Sequence, residues 1–161
     1  MRSSIFSEWL NIQRKSMGNK VKAENSLSTV IGKASRLLAN RISKNLSDHQ
    51  VTAEQWTILA NLWQHNGQTQ QSLADLSNKN KASITHLVDN LEKRQLVERR
   101  ADDADRRNKK IFLTEEGRAL QEALSKIVKK TTKEATEGID KKELKSVRKV
   151  LKKMVENLAT P

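Results

Sequence analysis

The 161-residue chain contains no cysteine. Disulfides, a thiol redox switch and a thiolate metal site are therefore excluded. There is one proline and there are five glycines. So little turn chemistry argues against a sandwich or barrel and for a mostly helical chain. No run approaches the roughly 18 consecutive apolar residues of a membrane span, so no membrane partner is expected. Met1 to Leu10 carries Arg2 and Glu8 and has no continuous apolar core, so it is not expected to act as a secretory leader. A cytoplasmic protein follows as the expectation.

Cations dominate what is present. The net charge is +12, which favours polyanionic partners through counterion release. The excess sits mostly at the two ends. Residues 1–46 and residues 126–153 each carry +7, whereas residues 81–110 carry only +3. Charge alone thus supports a polyanion partner without locating its site, and solvated helix faces would give the same count at the ends.

The apolar positions Leu27, Val30, Ile31, Ala34, Leu38 and Ile42 recur at helical spacing. Thr52-Ala53-Glu54-Gln55 has the form of a capping box. The helix it opens would bury Trp56, Leu59, Ala60 and Trp63 and stop near His65-Asn66-Gly67. Thr69 can cap a short helix with Leu73 and Leu76, and Ser77 to Asn80 is a turn. A helix from Lys81 to Arg94 places Ile84, Leu87, Val88 and Leu91 at i, i+3, i+4 and i+7, anchored on Trp56, Leu59, Leu73 and Leu76. Leu96-Val97 and Ile111-Phe112-Leu113 flank a charged turn, a hairpin pattern. Thr114 followed by two glutamates opens a helix running to about Lys133. After Gly138, Asp140 to Glu143 starts a last helix striped by Leu144, Val147, Leu151, Met154 and Leu158.

The predicted fold is mostly α with a small β-hairpin: a winged helix-turn-helix at 48–114, between N-terminal helices at 1–47 and C-terminal helices at 115–161. Ile5, Phe6, Trp9, Leu10 and Ile12 add a short helix at the start. The stripes of the end segments find no obvious cover within a module of about 70 residues. A second copy is the simplest partner, so both ends are assigned to dimerisation.

Away from its stripe, the helix from Lys81 offers Ala82, Ser83, Thr85, His86, Asp89, Asn90 and Lys93. Small hydrogen-bonding side chains in the first turns suit a helix entering a major groove. A following hairpin tipped with arginines suits a second groove. No nucleophile motif surrounds any Ser, His or Asp. There is no Gly-rich phosphate loop, and His49, His65 and His86 have no ligand spacing. Neither catalysis, a metal nor a cofactor is expected.

Val51-Thr52-Ala53-Glu54-Gln55-Trp56, Gln70-Gln71-Ser72-Leu73-Ala74, Lys81-Ala82-Ser83-Ile84-Thr85, Leu91-Glu92-Lys93-Arg94, Asp102-Asp103-Ala104-Asp105-Arg106-Arg107 and Leu113-Thr114-Glu115-Glu116-Gly117 together resemble the MarR family of bacterial regulators. The resemblance implies an obligate homodimer with interleaved end helices. It also implies a near-palindromic double-stranded DNA operator, often repressed, with release by a small ligand or oxidant. Without cysteine, the thiol-based peroxide-sensing branch is excluded. The family's wing signature, Asp-x-Arg, falls on Asp105 and Arg107. Arg107 is then expected in the minor groove and Asp105 as the residue that structures the wing. Asn80, Lys81, Ser83, Thr85, His86, Lys93, Arg106 and Lys109 complete the expected DNA contacts, and Lys110 is a further phosphate candidate. Relatives tend to carry Gly where this chain has Gln95, a costly exchange if that position needs positive φ. A small anionic or aromatic effector, wedged between readers and dimer helices, is expected to shift their spacing. The alternative is an architectural protein that holds nucleic acid without sequence preference.

Overall fold

The computed structural model describes residues 24–101 and 109–159. The expected helix around Ile5 to Ile12 lies outside them. So do Asp105, Arg106 and Arg107.

α1 (Leu27–Asn45) starts at Ser26, whose side chain accepts from the Thr29 amide. A 3₁₀ turn at Ser47–His49 leads to α2 (Ala53–Gln64). The capping box forms as expected: the Gln55 amide donates to Thr52 Oγ1 at 3.2 Å and the Thr52 amide donates to Gln55 Oε1 at 3.0 Å. α3 (Gln70–Ser77) and α4 (Lys81–Lys93) follow. Asn78, left-handed at φ 48°, closes α3, and Asn80 caps α4 by accepting from the Ser83 amide at 2.8 Å. Two asparagines, one tolerant of left-handed φ and one a strong cap, thus make the turn of the helix-turn-helix.

The wing is larger than the hairpin expected from sequence. Gln68–Thr69 (β1) joins Val97–Ala101 (β2) and Lys109–Leu113 (β3) in an antiparallel sheet of order β1-β3-β2. Gln68 pairs with Ile111, and Val97 pairs with Leu113. Gly67, at φ 78°, makes the approach to β1. A Cβ there would lie 2.7 Å from the Phe112 ring.

The single helix expected from Glu115 to Lys133 is broken. α5 (Glu115–Ala119) ends at Leu120, and α6 (Gln121–Ala135) continues from it. α5 is held against the sheet: Thr114 Oγ1 accepts from the Gly117 amide at 3.0 Å and donates to Gln95 O at 2.6 Å. Trp63 Nε1 donates to Gly117 O at 3.0 Å. α6 packs along α1, burying Leu124 and Val128 with Ile42 and Leu46. The buried Thr131 hydroxyl accepts from Asn45 Nδ2 at 2.8 Å. α7 (Lys141–Ala159) begins as expected at Asp140, whose amide donates to Glu143 and whose carboxylate accepts from the Lys142 amide.

The core gathers Ile58, Leu59, Leu62, Leu73, Ile84, Val88, Leu91, Val97 and Ile111. Two expectations need correction. α2 turns Ile58, Leu59 and Leu62 to the core, while Trp56 and Trp63 are half-buried at its edge. Leu76 does not anchor α4; it is 59% exposed, on the outer side of a short helix that buries Leu73 and Ala74. Among the described residues, no helix is long and apolar enough to cross a membrane.

Candidate nucleic-acid interface

α4 has two unlike sides. Ile84, Leu87, Val88 and Leu91 are buried. At 100° per residue, Ala82, His86, Asp89 and Lys93 point the opposite way. Of these, Ala82, His86 and Lys93 are exposed. His86 Nε2 lies 3.2 Å from Asn90 Nδ2, so the side chain is steadied from one turn ahead. Lys81 is exposed in a first turn that holds no acid, where the helix dipole adds to its positive field. Ser83 and Thr85 are half-buried beside it, and Thr85 Oγ1 donates to Lys81 O at 2.9 Å. The Thr85 hydroxyl proton is thereby engaged, which leaves its oxygen as an acceptor. Asn80 is exposed, with its side-chain oxygen occupied by the cap. Lys109 is exposed at the start of β3, opposite Ala101. The structure therefore puts Lys81, Ser83, Thr85, His86 and Lys93 on α4, Asn80 at its N-cap and Lys109 on the wing. Asp105, Arg106 and Arg107 belong to the stretch between β2 and β3 that lies outside the described residues.

The side chains that fix this arrangement were not assigned from sequence. Arg99 on β2 is 16% exposed and is held by two acids of α4: its guanidinium donates to Asp89 Oδ1 at 2.5 Å and to Glu92, and its amide donates to Glu92 Oε1 at 3.0 Å. Asp89, read from sequence as outward-facing, is thus tied to the wing. Arg94 reaches back from the end of α4 to the carbonyls of His49, at 2.8 Å, and Gln50, at 2.5 Å. Lys79 pairs with Glu54 at 2.5 Å and ties the turn to α2. Arg100 pairs with Glu98 and lies over the Phe112 ring, 5.0 Å from its centroid. Several cations of the module are thus spent inside it, which explains why its small net charge is a poor guide to its outer face. A sequence signal existed for Arg99 alone: two acids one helical turn apart, seven and ten residues before an arginine.

Gln95 adopts φ 57°. The Leu96 amide donates to Leu91 O at 3.0 Å and the Gln95 amide donates to Glu92 O at 2.8 Å, the pair of bonds of a Schellman stop. The position does require the left-handed region, and this chain fills it with a residue that pays for the conformation.

α3 and α4 thus form a helix-turn-helix with β1 before it and β2 and β3 after it, and α4 presents a polar face. Residues 51–109 match the model of the MarR family. Solved structures agree along most of the length. A MarR-family transcriptional regulator from Rhodococcus sp. RHA1 is 27% identical, with 81% of this chain and 96% of that one covered and a TM-score of 0.72. CouR from Rhodococcus jostii RHA1, solved with p-coumaroyl-CoA bound, is 26% identical, with 81% and 92% covered and a TM-score of 0.74. A MarR transcriptional regulator from Methanosarcina mazei Go1 is 25% identical, with 81% and 94% covered and a TM-score of 0.75. The chain has the fold of the MarR-family transcriptional regulators, which are DNA-binding proteins.

Proposed function

We propose that this MarR-family chain is a sequence-specific regulator, without enzymatic activity, that binds a near-palindromic operator in the cytoplasm as a homodimer. The observation that carries this reading is α4: clamped at Arg94 and Arg99, it leaves His86 and Lys93 exposed on one accessible face and Lys81 exposed at its first turn. Thr85 and His86 meet base edges in the major groove, while Asn80, Lys81, Ser83, Lys93, Arg106 and Lys109 hold phosphates. Arg107 enters the minor groove and Asp105 shapes the wing around it. Half-sites lie about one helical turn apart, as a two-fold pair of readers requires.

Dimerisation is supported by apolar side chains left uncovered on α1 and α7: Leu27, Val30 and Leu37, then Val147, Val150, Leu151, Val155 and Leu158. The segments 1–47 and 115–161 are proposed to meet those of the second copy, with 48–114 as the reader. Repression relieved by a small ligand is the proposed mode of action. CouR was solved with p-coumaroyl-CoA, an aromatic thioester carrying anionic phosphates; an aromatic or anionic effector is proposed here too, acting on the spacing of the readers.

The test is selection of bound duplexes from a random pool, then binding to single-base variants of the selected site at two salt concentrations. Arg107→Ala should weaken binding by about 1–3 kcal/mol and lower the salt slope by roughly one, leaving base preference unchanged. His86→Ala should flatten preference at one or two base pairs per half-site. A pool that yields no shared sequence would favour the architectural alternative. Equal affinity of Arg107→Ala and parent at both salts would remove the wing from the interface.

A further inference from the structure

α7 carries a feature that operator reading does not use. Seven of its residues are cations: Lys141, Lys142, Lys145, Arg148, Lys149, Lys152 and Lys153. All seven are exposed. At 100° per residue they fall within about 140° of arc, on the side opposite the apolar stripe. Only Glu143 and Glu156 are acidic in this helix. Glu156 pairs with Lys153 at 3.2 Å; the other six cations have no acidic partner among the described residues.

This arrangement is unfavourable for an isolated helix. Lys141–Lys145, Lys145–Lys149, Arg148–Lys152 and Lys149–Lys153 are like charges at i,i+4, each of which destabilises the helix. A face selected only for solubility would interleave acids, as α6 does where Lys130 faces Glu134 at i,i+4. A polyanion reverses the sign of that repulsion by replacing condensed counterions. From Lys141 to Lys152 the ridge is about 17 Å long at 1.5 Å per residue, alongside roughly five phosphates of one DNA strand at 3.4 Å each.

We infer that the basic ridge of α7 is a second, sequence-independent binding surface for duplex DNA, separate from α4 and the wing. Duplex DNA fits better than an anionic membrane. The apolar side of α7 contains Val, Leu and Met but no Trp or Phe to anchor in lipid headgroups. The ridge also stays outward in any assembly that covers that apolar side, so the surface is available to the intact protein. A molecule holding its operator through α4 can then hold a flanking or separate duplex through α7. The inference stands without the reader's sequence preference, because it needs only charge and exposure.

The test uses the full chain and a variant with Lys145→Gln, Arg148→Gln, Lys149→Gln and Lys152→Gln. The probes are a labelled 40-base-pair random duplex and, in parallel, phosphatidylglycerol vesicles. The variant should bind the random duplex about tenfold or more weakly at moderate salt, with a slope of log affinity against log salt shallower by up to about three or four per protomer. It should select the same sequences from a random pool as the parent. Because the substitutions relieve like-charge pairs, the helix should persist; if the fourfold variant fails to fold, Lys149→Gln with Lys152→Gln should give about half the change in slope. Unchanged affinity and slope in a folded variant would overturn the inference. Loss of vesicle binding with duplex binding intact would overturn it in favour of a membrane surface.

Discussion

α4 and α7 carry the same kind of apolar stripe and meet opposite fates. Ile84, Leu87, Val88 and Leu91 are buried by α2, α3 and the sheet, whereas no residue of α7 is buried and Leu158 is 82% exposed. The spacing that makes both helices amphipathic carries no address for the surface that covers them. In the winged helix the covering elements lie within a few tens of residues. For α7, the described part of the chain does not supply them. The first region completes its own core and the second presents half of one.

The largest effect should come from charging the incomplete half. In a dimer built on α7, Leu151→Asp would bury an unpaired carboxylate in each copy and weaken association by about 3–5 kcal/mol. Sedimentation at micromolar concentration should then show a monomer whose winged helix still melts cooperatively. A parent that is itself a stable monomer would break the comparison outright.

A smaller effect is expected where the complete half is tightest. The Cβ of an alanine at 117 would lie 2.0 Å from Leu96 O, against backbone that cannot swing away. Gly117→Ala should therefore destabilise the fold by about 1–3 kcal/mol in denaturant unfolding, with no direct effect on the dimer equilibrium. The smallest change runs the other way. Gln95→Gly relieves the left-handed strain and should stabilise the module by up to about 1 kcal/mol. A loss of stability there would mean that the Gln95 side chain contributes more than its backbone costs.

Much of this was visible in the chain itself. Thr52 with Gln55, Thr69, Thr114 and Asp140 with Glu143 mark helix starts by short-range chemistry, and each forms the predicted cap. Short-range signals also fail in identifiable ways. Gln68–Thr69 is too short for alternation to show, and it becomes a strand only because β3 lies beside it. Leu120 interrupts a helix with no Pro or Gly at the break itself, just after α5 is pinned to Gln95, ahead of β2, by Thr114 and to α2 by Trp63. Leu76 has the right spacing for the core but sits on the outer edge of a two-turn helix. At the candidate interface, the polar face of α4 was legible because it is the complement of its stripe. Arg94 was not, since its partners, the carbonyls of His49 and Gln50, are more than forty residues away and carry no side-chain signal.

The two arginine clamps have a mechanical consequence. Arg99 fastens the wing strand to the middle and end of α4, and Arg94 fastens the end of α4 to the loop entering α2. Helix and wing thus share attachment points along one line, and neither can pivot without dragging the other. The pair works as a caliper with a fixed jaw: the offset between what α4 touches and what the wing touches is set within each copy. In the proposed dimer, any adjustment to the spacing of a DNA site would then be made by swinging whole copies against each other, and the fit within a half-site would remain a fixed gauge.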